Sequence, residues 1–190
     1  MNYQEGMQKL AADRRQIEQL RERMRTLRSE IEPQPVEDYS FKTTDAEVKL
    51  SDLFGPKNEL FVVHNMGRSC PYCTLWADGF NGVYQHLADR AAFVVATPDT
   101  PDVQAEFADS RGWRFPMVSH AGTSFAADMG YKRENGGLMP GVSAFRKEGD
   151  RVMRVADAGF GPGDDFCAVW HFFDLLPEGS NGWQAKYRYS

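Results

Sequence analysis

The chain has 190 residues, of which 42% are hydrophobic and 26% are charged, and its formal net charge is −5. This composition is typical of a folded globular protein with a substantial core. The acidic balance disfavours nucleic acid as a partner, because phosphate binding needs a concentrated basic face. No apolar run approaches the roughly 18 residues that a membrane span requires, and the N-terminal residues lack the apolar core of a secretory signal. We therefore expect no nucleic-acid partner, no membrane partner and a cytoplasmic location.

Residues 1–32 are predicted to form a helix that is separate in character from the rest of the chain. Apolar residues recur there at the seven-residue spacing of an a/d seam, which is typical of a helix that docks on another surface. The seam consists of Leu10, Ile17, Leu20, Met24, Leu27 and Ile31. Pro33 and Pro35 are expected to end this helix. The sequence leaves open whether the seam docks on the body of the protein or forms a homodimer.

Residues 36–180 show the alternation of short strands and helices that is typical of a thioredoxin-like domain, an α/β fold with a central mixed sheet flanked by helices. Residues 181–190 read as a C-terminal tail. The predicted elements in chain order are a hairpin at 39–50, a buried strand at 60–64, a helix at 70–90, a buried strand at 92–96, a helix at 102–110, an extended segment at 115–118, a helix at 124–129, a hairpin at 142–156 and a helix from Asp164 or Asp165 to Leu176.

The stretch SCPYCT places Cys70 and Cys73 directly after a predicted buried strand, at the start of a helix. Unpaired N–H groups and the helix dipole favour a thiolate at that position, and Pro71 suits the first helical turn. Cys70 is therefore predicted to be the exposed nucleophile and Cys73 the resolving thiol of a redox couple. Tyr72, Trp76 and the basic Arg68 are candidates for contact with the substrate.

His64 lies six residues before Cys70, a position similar to that at which thioredoxins carry a buried carboxylate that assists proton transfer to the rear thiol. The resemblance implies that His64 exchanges a proton with Cys73 near neutral pH. The alternative is a strand-end histidine bonded to a backbone carbonyl. No cofactor is expected, because the glycine-rich segment 159–163 lacks the lysine and the spacing of a phosphate loop.

A metal site is the alternative interpretation of the cysteine pair. Cys167 and His171 have the i, i+4 spacing of one helix face, so that Cys70, Cys73, Cys167 and His171 would supply four zinc ligands. In that case the domain would be a binding module and not an enzyme. Cys167 lies among apolar residues, however, where a free cysteine is usually a small core residue.

The motifs also resemble known families. Cys70-Pro71-Tyr72-Cys73 is similar to the active-site tetrapeptide of glutaredoxins, and the segment around Met139-Pro140 resembles the thioredoxin pattern in which a cis-proline faces the cysteine pair. This resemblance implies that Met139 and Pro140 pair with an extended substrate, either a disulfide-containing protein or a small thiol compound.

Nearly the whole chain resembles a bacterial family of uncharacterised thioredoxin-like proteins near the alkyl hydroperoxide reductase and thiol-specific antioxidant group. The resemblance implies the fold and raises a peroxiredoxin-like peroxidase as an alternative function. Peroxiredoxins place a proline and a Thr or Ser before the reactive cysteine and pack an arginine against it. Here Gly67 stands three residues before Cys70, and Arg133 and Arg146 are the candidate arginines. The segments that carry the resemblance are 50–54, 64–67, 70–80, 112–116 and 140–143.

Overall fold

A computed structural model describes residues 1–189. Met1–Pro33 forms one compact unit, and a second begins at Gln34. The first unit contains helix α1, Tyr3–Glu30, which is capped at its N-terminus by a reciprocal pair of hydrogen bonds between Asn2 and Glu5. The helix ends at Ile31, which is extended and precedes Glu32 and Pro33. The described residues contain no helix that is both long and apolar enough to cross a lipid bilayer.

The second unit alternates strands with helices around one sheet. The strands are β1 (Gln34–Val36), β2 (Ser40–Lys42), β3 (Glu47–Lys49), β4 (Glu59–His64), β5 (Ala92–Thr97), β6 (Met117–Ser119), β7 (Gly141–Glu148) and β8 (Arg151–Gly159). The helices are α2 (Pro71–Arg90), α3 (Pro101–Arg111), α4 (Phe125–Asp128) and α5 (Ala168–Phe173).

The eight strands form a mixed sheet in the order β1-β8-β7-β4-β5-β6-β2-β3. Strands β4, β5 and β6 are parallel to one another, and the other pairs are antiparallel. The two central parallel strands are the two apolar runs of the sequence, as expected for strands that are buried on both faces. The sheet ends in two short strands of three residues each, β1 with Pro35 and β3 with the charged Glu47 and Lys49.

Two hydrophobic clusters cover the two faces of the sheet, because successive side chains of a strand point to opposite sides. In β4, Leu60 and Val62 join the first cluster, which contains Phe41, Phe54, Phe125 and Phe145. Val63 joins the second cluster, which contains α2 residues Trp76, Ala77 and Phe80 together with Phe93, Trp113 and Trp170. Helix α2 thus packs on one face only, and the direction of each β4 side chain decides whether it is near that helix.

The last predicted helix is wrong in extent. It begins at Ala168, with Cys167 and not Asp164 or Asp165 as the residue before its first turn, and it ends at Phe173. The Asp164 carboxylate instead accepts hydrogen bonds from the Trp76 indole, from the backbone N–H of Gly161 and from that of Phe166. Asp164 therefore fixes a loop against α2, which delays the start of the helix.

Candidate active site

The turn between β4 and α2 sets the position of the cysteine pair. Gly67 has a φ of +93°, which favours glycine, and its N–H donates to the side-chain oxygen of Asn65 at 2.8 Å. The next N–H, that of Arg68, donates to Asp99 Oδ2 at 2.7 Å. A Cβ atom at Gly67 would lie 2.8 Å from that same oxygen. The side chains of Asn65 and Asp99 therefore fix the backbone of this turn.

Cys70 is the residue that caps the N-terminus of α2. Its backbone is extended, its sulfur accepts a hydrogen bond from the backbone N–H of Cys73 at 3.0 Å, and Pro71 occupies the first helical turn. The Cys70 side chain is partly exposed, whereas Cys73 is only 3% exposed. The sulfur that meets solvent is thus the one that lies at the positive end of the helix dipole.

Hydrogen bonds lower the pKa of the Cys70 thiol and raise that of the Cys73 thiol. The pKa of Cys70 is lowered to about 7, chiefly by the hydrogen bond from the Cys73 thiol and further by the backbone N–H groups of Cys73 and Tyr72, although burial opposes the shift. The pKa of Cys73 is raised strongly, because its proton is held by Cys70 and because it is buried. The Met66 N–H donates to the Cys73 sulfur at 3.4 Å. The partly exposed Cys70 is therefore the more acidic thiol of the pair, and it lies beside a buried thiol whose pKa is raised.

The residues predicted to contact the substrate differ in how far their side chains are exposed to solvent. Tyr72 is partly exposed, and its ring stacks on Trp170 at a centroid distance of 6.1 Å. Trp76 is only 3% exposed and donates to Asp164, so that it supports the wall of the site from within. Arg68 is exposed two residues before Cys70.

The Met139-Pro140 peptide bond is trans, which corrects the cis geometry that the thioredoxin resemblance implied. The backbone groups expected to face a substrate are also already engaged. The N–H of Met139 donates to the carbonyl oxygen of Tyr131 at 2.9 Å, and the carbonyl oxygen of Pro140 accepts from the N–H of Phe160 at 2.9 Å. This segment therefore joins neighbouring parts of the fold, and a substrate strand would have to pair with it by other groups.

His64 lies on the opposite face of the sheet from α2. Its ring stacks on Tyr131, with centroids 3.8 Å apart, and on Phe125 at 5.2 Å, both in the first cluster. Its Nε2 is 2.8 Å from the Ser143 oxygen, and the Ser143 hydroxyl donates to Asp157. Ser143 therefore accepts from His64, which assigns the ring proton to Nε2. His64 is therefore a strand-end histidine that bonds within the core, to a side-chain hydroxyl and not to the backbone carbonyl that the alternative named, and it does not face the cysteines.

The buried His64 predicts a stability that depends on pH. Burial, followed by the charges of His120 and Arg154, lowers the pKa of His64 to about 3. A histidine with a folded pKa below its unfolded value contributes stability that is fully present above about pH 6.5 and is lost as the pH falls toward 3, with a slope of at most about 1.4 kcal/mol per pH unit. Urea unfolding at several pH values in this window measures it.

The matched variants are His64→Phe, which preserves ring stacking without a titrating group, and His86→Phe, which alters an exposed histidine of α2. We expect the difference in the free energy of unfolding between neutral and acidic pH to shrink in His64→Phe and to be unchanged in His86→Phe. Parallel pH profiles for the wild type and His64→Phe would contradict the assignment.

The four-ligand zinc site is not assembled. Across residues 1–189, no group of three or more His, Cys, Asp or Glu side chains is arranged to hold a metal ion. Cys167 is buried in the second cluster with Trp170, whereas His171 is exposed and lies 3.9 Å from Asp165. The two residues share the predicted spacing but not the predicted helix face, because Cys167 precedes the first turn of α5 instead of lying within it.

One residue of the C-terminal tail near the site is not predicted by the sequence. The backbone oxygen of Tyr187 accepts from Arg111 at 2.8 Å, and its ring packs edge-on against Phe107. The pKa of Tyr187 is raised by burial and by the negative charge of the cysteine pair. No sequence pattern links Tyr187 to the cysteines, since more than a hundred residues separate them.

Comparison with known families gives a match over almost the entire chain. The family described as "Bacterial protein of unknown function (DUF899)" matches residues 1–189. The chain belongs to this family. No curated protein matches the sequence.

Solved structures similar to this DUF899 chain include several peroxiredoxins. The peroxidoxin BcpB from Mycobacterium tuberculosis is 27% identical, with a TM-score of 0.55 over 67% of this chain and 84% of its own. A cysteine-to-serine mutant of PrxQ from Xylella fastidiosa is 14% identical, with a TM-score of 0.57 over 67% of this chain and 84% of its own. Reduced Prx3 from Vibrio vulnificus is 11% identical, with a TM-score of 0.56 over 70% of this chain and 89% of its own. The predicted thioredoxin-like fold of this DUF899 protein is confirmed.

Proposed function

We propose that this protein is a thiol:disulfide oxidoreductase in which Cys70 is the nucleophile and Cys73 the resolving thiol. One observation carries the proposal: the partly exposed Cys70 accepts a hydrogen bond at its sulfur from the backbone N–H of Cys73 and has a pKa of about 7, while its neighbour is a buried thiol. Thiolate at neutral pH and access to solvent are the two properties that an attacking cysteine needs.

The reaction would proceed in two exchanges. The Cys70 thiolate attacks one sulfur of a substrate disulfide, which forms a mixed disulfide and releases the other substrate sulfur as a thiolate that takes up a proton. Cys73 then loses its proton to solvent and attacks the Cys70 sulfur, which releases the second substrate sulfur as a thiolate that also takes up a proton. The products are a Cys70–Cys73 disulfide and a substrate dithiol. Two electrons pass from the protein to the substrate; of the two protons that the dithiol carries, one is balanced by the proton that Cys73 gives up and the other is drawn from solvent.

The geometry supports this order of attack. Once Cys70 is bound in a mixed disulfide, it no longer carries the charge that holds the Cys73 proton, and the principal cause of the raised pKa of Cys73 is removed. The Met66 N–H then stabilises the Cys73 thiolate. The substrate class is a disulfide-containing protein or a small disulfide, and the reducing cytoplasm predicted from the sequence is where such a dithiol would act as a reductant.

A thiol peroxidase is the second candidate, because the similar solved structures include peroxiredoxins. In that reaction the Cys70 thiolate attacks a peroxide oxygen, water or an alcohol leaves, and Cys73 condenses with the resulting sulfenic acid. The candidate arginines give this reaction little support. Arg146 forms an ion pair with Glu148 at the far end of β7, and Arg133 is exposed. Ser69 is exposed beside Cys70, and Gly67 supplies no hydroxyl.

The test is to trap the covalent intermediate. In Cys73→Ser the mixed disulfide through Cys70 cannot be resolved, and we expect it to accumulate with a disulfide substrate and to be visible by intact-mass spectrometry. Cys70→Ser should form no adduct, because Cys73 is buried and protonated. Cys167→Ser, which removes the third thiol of the chain, is the matched control and should behave as the wild type.

Equal trapping in Cys70→Ser and Cys73→Ser would show that the roles are assigned wrongly. Peroxide provides the second arm of the experiment. If Cys73→Ser forms a sulfenic acid at Cys70 much faster than it forms mixed disulfides, the peroxidase replaces the oxidoreductase as the function.

A further inference from the structure

Within its own unit, Met1–Pro33, the apolar seam of α1 is uncovered along its whole length. Its side chains keep between 47% and 59% of their accessible surface, and no residue of the helix is buried. Large apolar side chains at every a position and at two of the three d positions, at such exposure, are typical of an interaction surface and not of an ordinary solvated helix. The seam comprises Leu10, Ile17, Leu20, Met24 and Leu27, and it continues to Ile31 beyond the last turn.

Positive charge lines both sides of this seam. With Leu10, Ile17 and Met24 at heptad position a, the flanking e and g positions hold six charged residues and one glutamine. Five of the six are cationic, and the sixth is an acid at the C-terminal end. These flanking positions are Arg14, Arg21 and Arg28 at e, and Lys9, Gln16, Arg23 and Glu30 at g.

The acidic residues of α1 lie mostly away from the seam. Glu5, Glu18 and Glu22 occupy positions c, b and f, and Glu22 forms an ion pair with Arg25 on that outer side. The side of α1 that carries the seam is therefore basic, and the opposite side carries most of the acidic residues. Charge as well as shape thus distinguishes the two sides of the helix.

A second copy of α1 is a poor partner for this face. In a parallel pair, position g faces e of the next heptad in the partner helix. Lys9 would then face Arg14, and Arg23 would face Arg28. In an antiparallel pair, e faces e, and arginine would again meet arginine. Asp13 stands at a d position, so that a parallel pair would also bury two carboxylates together.

We propose that the α1 seam binds an amphipathic helix of another protein that carries apolar a and d positions and acidic e and g positions. Acidic flanks on the partner would meet Arg14, Arg28 and Arg23 in either orientation, and apolar residues would cover the seam. A lipid surface fits less well, because the stripe is narrow, contains no Trp or Phe, and is backed by Glu18 and Glu22.

The test uses the full chain and two synthetic helical peptides, each matched to the 28 residues of α1. Both peptides carry Ile at a and Leu at d; one has Glu at every e and g position, and the other has Lys. Fluorescence anisotropy should show the Glu peptide binding at least about tenfold more tightly than the Lys peptide, since several opposite-charge pairs replace like-charge pairs. Raising the salt concentration from about 0.1 M to about 1 M should reduce the difference.

Two variants make the result specific. Leu20→Asp should abolish binding of the Glu peptide, and the triple change Arg14→Glu, Arg23→Glu and Arg28→Glu should reverse the preference toward the Lys peptide. The rate of Cys70 alkylation, measured in each variant, should be unchanged and so reports that the rest of the chain is intact.

Three outcomes would overturn the proposal. The first is equal binding of the two peptides, or binding of neither. The second is sedimentation of the wild-type chain as a dimer that Leu20→Asp dissociates, which would make a second copy the occupant. The third is tighter binding to vesicles containing anionic lipid than to the Glu peptide.

Discussion

Replacing Gly141 with alanine is expected to lower the free energy of unfolding by about 3 kcal/mol, the upper end of what overpacking a core costs. Gly141 begins β7 and pairs with His64 of β4. A Cβ atom there would overlap the Tyr131 ring and would lie 2.6 Å from the carbonyl oxygen of Ala158. The second contact is with backbone of the neighbouring strand, which a rotamer change cannot relieve.

The matched control is Gly79→Ala. Gly79 is exposed in the middle of α2, and a Cβ atom there meets nothing within 4 Å. Because alanine is the better helix former, this change should raise the free energy of unfolding by about 0.5–1 kcal/mol. Urea denaturation of the two variants gives both values, and effects of the same sign would contradict the close approach of Tyr131 to β7.

Replacing Cys73 with alanine should raise the pKa of Cys70 by at least about one unit and so reduce its thiolate fraction at pH 6 about tenfold. The hydrogen bond from the Cys73 thiol is the largest cause of the lowered pKa, and alanine cannot make it. The thiolate of the wild type should predominate above about pH 7 and protonate as the pH falls below that value. The rate of alkylation of Cys70 as a function of pH measures the midpoint.

Cys73→Ser retains a hydroxyl donor and should keep most of the shift, and Cys167→Ala should keep all of it. An unchanged midpoint in Cys73→Ala would assign the low pKa to the backbone N–H groups of Cys73 and Tyr72 alone. This outcome would alter the account of how Cys73 is activated, because its proton would no longer be held by Cys70.

The arrangement of strands and helices followed from local patterns in the sequence. The apolar runs at 60–64 and 92–96 are β4 and β5, and proline in the first turn marks the starts of α2 and α3. The position of Cys70 at the N-terminus of α2 also followed, because a strand, a short turn and Cys-Pro are contiguous in the chain.

Features that depend on contacts distant in sequence were not predictable in the same way. His64 was within reach of the cysteines by residue count, but strand alternation directs its side chain to the opposite face. Asp164 has the appearance of a helix cap, yet its bond to Trp76 is a contact across 88 residues. Tyr187 is distant in sequence from Cys70 and Cys73, and its position depends on the hydrogen bond that its backbone oxygen accepts from Arg111. Each of these depends on which elements become neighbours, which single-sequence patterns do not encode.

The two outermost strands of the sheet also affect how the protein behaves at high concentration. Open strand edges are templates on which further chains can add. Here one edge offers only three residues and lacks an N–H at Pro35, and the other offers three residues with Glu47 and Lys49 at its ends. Both devices oppose edge-to-edge growth into fibrils. Solutions of the native protein should therefore resist amyloid formation. Sequence changes that lengthen β1 or β3 would remove that protection.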